Sequence, residues 1–134
     1  MRTVVALTLA AFAVLALAAV SSAAGRTSLT VTYWADGSGS GTPVTWTLRC
    51  APAGGTLGKP AVACARLSSS GVRVFAPVPK SALCGAVYGG PQVAQVVGFV
   101  DGHRVWVKVQ RRNGCEIARW SRLSPWLLPR GGAT

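Results

Sequence analysis

With 134 residues, one histidine and only three acidic residues, the chain is long enough for a single domain but poor in the side chains that acid–base catalysis requires. Its formal net charge of +11 favours acidic partners or anionic surfaces. The Lys and Arg residues are scattered, and Arg111-Arg112 is their longest run, so we expect a solvated basic surface and no specific nucleic-acid site.

The first residues of the chain have the pattern of a signal peptide, which we assign to residues 1–24. Arg2 precedes an apolar run over residues 4–20, and small residues follow at 21–24. A transmembrane helix is the alternative, because the run is about long enough to span a bilayer. The run is rich in Ala, however, and it ends in small residues with no charged stop directly after it. We therefore expect a secreted, extracellular domain over residues 25–134, with no membrane association after cleavage.

The first half of this domain predicts two strands and a helix. Residues 28–34 alternate apolar and polar side chains, and residues 44–50 do the same, with Val44, Trp46 and Leu48 on one face. Residues 61–69 contain good helix formers and end at Ser70-Gly71, a helix-stop signal.

The second half predicts a hairpin and a second helix. Residues 71–91 form a long connection rich in Gly and Pro, and such loops are usually functional. Strands are expected at 92–100 and 104–110, joined by the turn signal Asp101-Gly102. Residues 115–123 have a helical apolar stripe, and residues 126–128 are a candidate edge strand. The fold class is therefore α+β: an antiparallel sheet of four to five strands with two short helices on one face.

The four cysteines indicate two disulfides, because an exported chain with an even cysteine count is usually oxidised. They are Cys50, Cys64, Cys84 and Cys115. Four cysteines allow three pairings, and the sequential pairing closes the shortest loops. The alternative of a zinc site has little support, since there is no C-x-x-C motif and the only histidine lies far from the cysteines. We expect no metal and no cofactor.

Catalytic residues are scarce. His103 directly follows the Asp101-Gly102 turn, a typical exposed position, and the acidic residues form no obvious carboxylate pair. No phosphate-binding or dinucleotide-binding fingerprint occurs. Oxidised cysteines leave no thiolate nucleophile. These absences predict a binding protein and not an enzyme.

Four segments follow one another in a recognisable order. They are TLRCAP with ACARL (residues 47–67), LCGAVYGGP (83–91), the hairpin at 93–110, and NGCEI (113–117) before a helix that contains Trp120. Together they resemble the subtilisin inhibitor-like family of secreted serine protease inhibitors, over residues 29 to about 123. Each short motif is weak alone; their order and the cysteine spacing make the resemblance strong.

The resemblance implies a standard-mechanism inhibitor of a subtilisin-like or elastase-like protease. It places the reactive bond at Ala86–Val87, flanked in the protease-binding loop by Leu83, Cys84, Gly85, Tyr88 and Gly89. It also implies the pairs Cys50–Cys64 and Cys84–Cys115, and a homodimer formed through the sheet. Trp34, Trp46 and Trp106 are candidates for that interface, but burial of these side chains in the core explains them equally well.

The chain departs from the family pattern within the loop. Gly85 stands where the family usually has Pro, and Gly89-Gly90 replaces the usual approach to Pro91. Ala86 replaces the usual Met or Lys, which disfavours trypsin-like targets. The alternative function is therefore a basic secreted binding module that has lost inhibition and recognises anionic polymers. A further alternative is a structural exported domain or a substrate for a cross-linking enzyme, to which the few Gln residues, Gln92, Gln95 and Gln110, give little support.

Overall fold

The fold is built on an antiparallel sheet of four strands in the order β2-β1-β3-β4. The strands are β1 (Ser28–Trp34), β2 (Val44–Arg49), β3 (Val93–Val100) and β4 (His103–Val109). The computed structural model describes residues 26–131, so the signal peptide expected at 1–24 lies outside the described residues. Within 26–131, no helix is both long and apolar enough to cross a membrane.

Strand register brings the alternating apolar side chains onto one face of the sheet, here called the core face. Leu29 pairs with Leu48 on one side and with Gly98 on the other, and Gly98 pairs with Val105. Leu29, Leu48 and Val105 are all buried. The opposite, outer face therefore carries Thr30, Val97 and Trp106, which are neighbours across three strands. The alternation predicted for residues 28–34 and 44–50 is confirmed by the register of β1 and β2.

Two helices cover the core face, as predicted. Helix α1 (Pro60–Ser70) has Pro within its first turn, where the missing N–H is not needed, and ends at Gly71, whose φ is 58°. Helix α2 (Gly114–Leu123) starts after Asn113, whose side chain accepts a hydrogen bond from the Glu116 N–H at 3.0 Å. Both helices add buried side chains to the same core cluster: Ala63 and Leu67 from α1, and Trp120 and Leu123 from α2.

The C-terminal segment differs from the prediction. Residues 126–128 were expected to add an edge strand, and instead they form turns, with Leu127 and Leu128 buried in the core. The indole N–H of Trp46 donates to the Leu127 carbonyl at 3.2 Å. The outer edge of β2 is already covered by residues 54–57, where Leu57 N–H donates to Thr47 O at 3.0 Å. The apolar side chains therefore close the core and the sheet keeps four strands.

Two disulfides join the helices to the rest of the chain, Cys50–Cys64 and Cys84–Cys115, and the sequential pairing is confirmed. The first links the end of β2 to α1, and the second links the long connection after α1 to the start of α2. That connection contains a 3-10 helix, Gly71–Phe75, and is otherwise irregular. In the chain-entropy model, closing a loop with a separation of 31 residues stabilises the fold by roughly 3–4 kcal/mol.

Replacing Leu127 tests whether the C-terminal segment is part of the core. Leu127→Ala should lower the free energy of unfolding by about 2–5 kcal/mol, because it leaves a cavity in a packed interior. Leu83→Ala is the matched control, since Leu83 is 100% exposed, and it should change stability by less than about 0.5 kcal/mol. Urea titration followed by Trp fluorescence measures both. Equal effects for the two variants would place Leu127 outside the core.

Candidate functional site

The long connection exposes an apolar segment to solvent. Every residue from 81 to 88 is exposed, and Leu83, Val87 and Tyr88 are 100%, 58% and 69% accessible. Large apolar side chains are seldom left together in water unless the surface binds something. Residues 83–89, here called the candidate loop, contain all the positions that the sequence assigned to protease binding.

The start of the candidate loop is fixed to the first residues of α2. Cys84 is bonded to Cys115, and the Gly114 N–H donates to the Gly85 carbonyl at 3.0 Å. Gly114 is the first residue of α2, so its N–H has no partner within the helix. The Gly85 carbonyl therefore pairs with the free N–H at the start of α2, and the disulfide fixes the preceding residue, Cys84, at the same place.

A tight turn surrounds Ala86. The Val87 N–H donates to the Gly85 carbonyl at 2.8 Å, which closes a three-residue turn with Ala86 at its centre. The Gly85 carbonyl thus accepts two hydrogen bonds, one from within the loop and one from α2. Ala86 and Val87 remain exposed, so the peptide bond between them is accessible while the residue before it is held.

The end of the candidate loop is fixed by close packing. The Gly89 N–H donates to the Arg111 carbonyl at 2.7 Å. A Cβ on Gly89 would lie 2.8 Å from the Cδ1 and Cγ1 atoms of Ile117, and 3.0 Å from Arg111 O. Glycine is therefore needed at this position, because the backbone lies directly against α2 and the segment that precedes it.

The structure brings the predicted loop residues together with groups that the motifs did not identify. Gly114, Ile117 and Arg111 support the loop from below. Arg111 was interpreted as part of a solvated basic surface, but it is only 8% exposed, whereas Arg112 is exposed. Two adjacent arginines in a sequence do not show which of the two side chains is buried. His103 is exposed, as expected, on the β3–β4 hairpin.

The chain is similar to known proteins both in sequence and in structure. Residues 19–113 match the family described as subtilisin inhibitor-like. The structure is similar to that of Streptomyces caespitosus sermetstatin, solved in complex with Bacillus licheniformis subtilisin, with a TM-score of 0.51 and 28% sequence identity. That similarity covers 78% of this chain and 98% of the other. A search of curated protein sequences gave no match.

Substitution of Gly89 tests the close packing at the end of the loop. Gly89→Ala should reduce the free energy of unfolding by about 1–3 kcal/mol, because the new methyl group would overlap with Ile117 and Arg111. Gly58→Ala is the control, since a Cβ there meets nothing within 4 Å. Urea titration gives both stabilities, and amide chemical shifts of residues 111–117 should move only in Gly89→Ala. Identical behaviour of the two variants would contradict the packing.

Proposed function

Because the chain belongs to the subtilisin inhibitor-like family, we propose that it is a secreted standard-mechanism inhibitor that presents the Ala86–Val87 bond to a subtilisin-like or elastase-like serine protease. The chain is a serine protease inhibitor and not an enzyme. One observation supports the proposed position of the reactive bond. The exposed apolar loop is held at both ends, at its start by the Cys84–Cys115 disulfide and at its end by the Gly89 hydrogen bond to Arg111.

The two anchors favour inhibition over hydrolysis. If a protease cuts Ala86–Val87, the new carboxyl end stays attached through Cys84–Cys115 and the hydrogen bond from Gly114 to Gly85. The new amine stays close because Gly89 remains bonded to the Arg111 carbonyl. The amine is then at high effective concentration at the acyl-enzyme, so the bond re-forms faster than water attacks. A loop ordered in advance also loses less entropy on binding.

The side chains of the loop define the class of protease. Ala86 at the P1 position has a small apolar side chain, which suits the small S1 pocket of elastase-like enzymes. Leu83 at P4 is fully exposed, so it can add an apolar contact in the S4 subsite of subtilisin-like enzymes. The similarity to an inhibitor crystallised with a bacterial subtilisin supports this class of partner. Trypsin is disfavoured, because its buried S1 carboxylate would have no cation to pair with.

The outer face of the sheet is the proposed homodimer interface. Trp106 on this face is 63% exposed and Phe99 is 49% exposed, whereas Trp46 lies half-buried on the core face. Trp34 is half-buried on the outer face. Of the three tryptophans considered from the sequence, Trp106 therefore offers the most surface for an isologous contact between two copies.

Charge distinguishes this dimer from the alternative of a polyanion-binding module. Register places Arg49, Arg104 and Lys108 on the outer face, and the strands carry no Asp or Glu there. Two copies would repel through these cations, so added salt should strengthen self-association by screening. Binding of an anionic polymer to the same face would weaken steeply with salt.

The reactive bond is tested by changing the P1 residue. The secreted domain should inhibit subtilisin or an elastase-like protease, and trypsin poorly. Ala86→Lys should improve trypsin inhibition by at least about 100-fold, because the ammonium pairs with the S1 carboxylate. Val62→Lys adds the same charge to an exposed position of α1 and should change nothing. If the wild-type domain inhibits neither subtilisin nor elastase, the proposed function is disproved. If Ala86→Lys leaves the specificity unchanged, the placement of Ala86 at P1 is disproved.

The dimer is tested by light scattering at micromolar concentration. The wild-type domain should be a dimer, and Trp106→Ala should shift it toward monomer, because the largest exposed apolar side chain of the outer face is lost. Val62→Ala removes exposed apolar area from α1 and should leave the dimer intact. A wild-type monomer at both low and high salt would rule out this interface.

A further inference from the structure

Arg111 is a buried cation at the base of the candidate loop. It lies two residues after β4 and is 8% exposed. Its Nη1 donates to the Gln92 Oε1 at 2.9 Å, and its Nη2 donates to the Gly131 carbonyl at 3.1 Å. Both acceptors are neutral, so the guanidinium makes no ion pair in these contacts. A buried cation of this kind contributes little net stability, since desolvation offsets the hydrogen bonds. We therefore look for its role in the segments that its hydrogen bonds connect.

Arg111 holds both ends of the segment that follows the candidate loop, residues 89–92, here called the return segment. Its carbonyl accepts from the Gly89 N–H at 2.7 Å, and its side chain binds Gln92. Between these points lies Gly90, with a φ of 125° that favours glycine. Two adjacent glycines would make a free peptide flexible, so their conformation is fixed here by the contacts at either end.

The same side chain connects the return segment to the C-terminal segment. Gly131, which accepts from Nη2, follows Pro129, and the Pro129 carbonyl accepts from the Trp120 indole at 2.9 Å and from the Ser124 hydroxyl at 3.0 Å. The guanidinium therefore binds the C-terminal segment, which is itself hydrogen-bonded to Trp120 of α2. This gives the return segment a rigid support although its own sequence contains two glycines.

We propose that Arg111 is a positioning residue for the part of the reactive loop that follows the cut bond: its side chain holds Gln92 and Gly131, which keeps its own backbone carbonyl against Gly89, so that Val87 and Tyr88 stay in place when the Ala86–Val87 bond is cut. This inference rests on the proposed inhibitor function. The carboxyl end of the cut bond is retained by a disulfide, whereas the amine end is retained only by non-covalent contacts. Loosening the return segment therefore lets the amine leave, so water attacks the acyl-enzyme and the inhibitor becomes a substrate.

Arg119 supplies a control that is matched in burial and differs from Arg111 in an ion pair within α2, where its Nη1 lies 3.7 Å from Glu116 Oε2. It is also 8% exposed and makes hydrogen bonds to the carbonyls of Phe75, Ala76 and Lys108, at 3.2, 3.1 and 3.1 Å. It joins α2 to β4 and to the 3-10 helix and makes none of its hydrogen bonds to residues 83–92. Replacing it removes a buried guanidinium of equal burial without releasing the return segment.

The experiment compares Arg111→Met and Arg119→Met with the wild type, each assayed well below its melting temperature. With subtilisin, Arg111→Met should raise the inhibition constant at least about tenfold and speed cleavage of Ala86–Val87 by a similar factor. Arg111→Met keeps the backbone carbonyl that accepts from Gly89, but it removes the side-chain contacts to Gln92 and Gly131. The return segment should then open more often in the free protein, so hydrogen exchange at the Gly89 amide should be faster. Arg119→Met should leave all three values unchanged. Gln92→Leu removes only the acceptor for Nη1, and it should reproduce the effects of Arg111→Met if that variant folds poorly.

The outcomes separate this inference from the proposed function. If the wild type inhibits and both Arg111→Met and Gln92→Leu match Arg119→Met in inhibition, cleavage and Gly89 exchange, the positioning role is overturned and the function stands. If the wild type inhibits no serine protease of either class, the function fails. In that case hydrogen exchange at Gly89 still tests whether Arg111 orders the return segment. Unchanged exchange in Arg111→Met and Gln92→Leu overturns that role, whereas faster exchange supports it.

Discussion

The Cys84–Cys115 disulfide is the constraint on which the presentation of the loop depends. An apolar segment that is exposed on all sides gains no free energy from burial, and its single internal hydrogen bond, from Val87 N–H to the Gly85 carbonyl, orders only the turn at Ala86. The rest of its order has to come from the groups beneath it. The disulfide fixes Cys84 at the start of α2, and α2 is fixed to the core by Trp120 and Leu123. The candidate loop, which has no regular secondary structure, is thereby attached to the rigid core of the protein.

The remaining contacts of the loop follow from that attachment. Once Cys84 lies beside Cys115, the Gly85 carbonyl is within reach of the Gly114 N–H, and Gly89 lies against Ile117 and Arg111. The glycines, which would weaken an isolated loop, allow this close approach of backbone to backbone. Loss of the usual Pro at Gly85 is therefore offset at least in part by the two hydrogen bonds that its carbonyl accepts. Preorganisation is therefore supplied by the turn at Ala86 together with the neighbours of the loop in α2 and at Arg111.

Periodicity predicted most of the fold because the strands have one buried and one exposed face. The alternation at Val44, Trp46 and Leu48, and the Asp101-Gly102 turn, are local signals that the tertiary structure did not override. The prediction of an edge strand at residues 126–128 was wrong because the same apolar residues suit either a strand or a buried position in the core, and the edge of β2 is already covered by residues 54–57. The disulfide pairing came from the family resemblance, since composition alone left three pairings open.

The site was predictable only in part. Residues 83–89 could be predicted as the protease-binding loop because the resemblance supplied a register. The structure adds that residues 83–88 are exposed and that Cys84, Gly85 and Gly89 are anchored. The supports could not be found in the same way. Nothing in the pair Arg111-Arg112 shows that the first is buried under the loop and the second is solvated, because that difference depends on Gln92 and Gly131, which are distant in sequence.

The most direct test of the account is the hydrolysis equilibrium of the Ala86–Val87 bond under catalytic amounts of subtilisin. Intact domain and domain already cut at this bond would be incubated separately, and mass spectrometry with and without reduction would follow both. The account predicts that the two samples reach the same ratio of intact to cut protein, with the cut form held as one molecule by Cys84–Cys115. Cleavage at another bond, or steady degradation of both samples without re-formation of the bond, would contradict it.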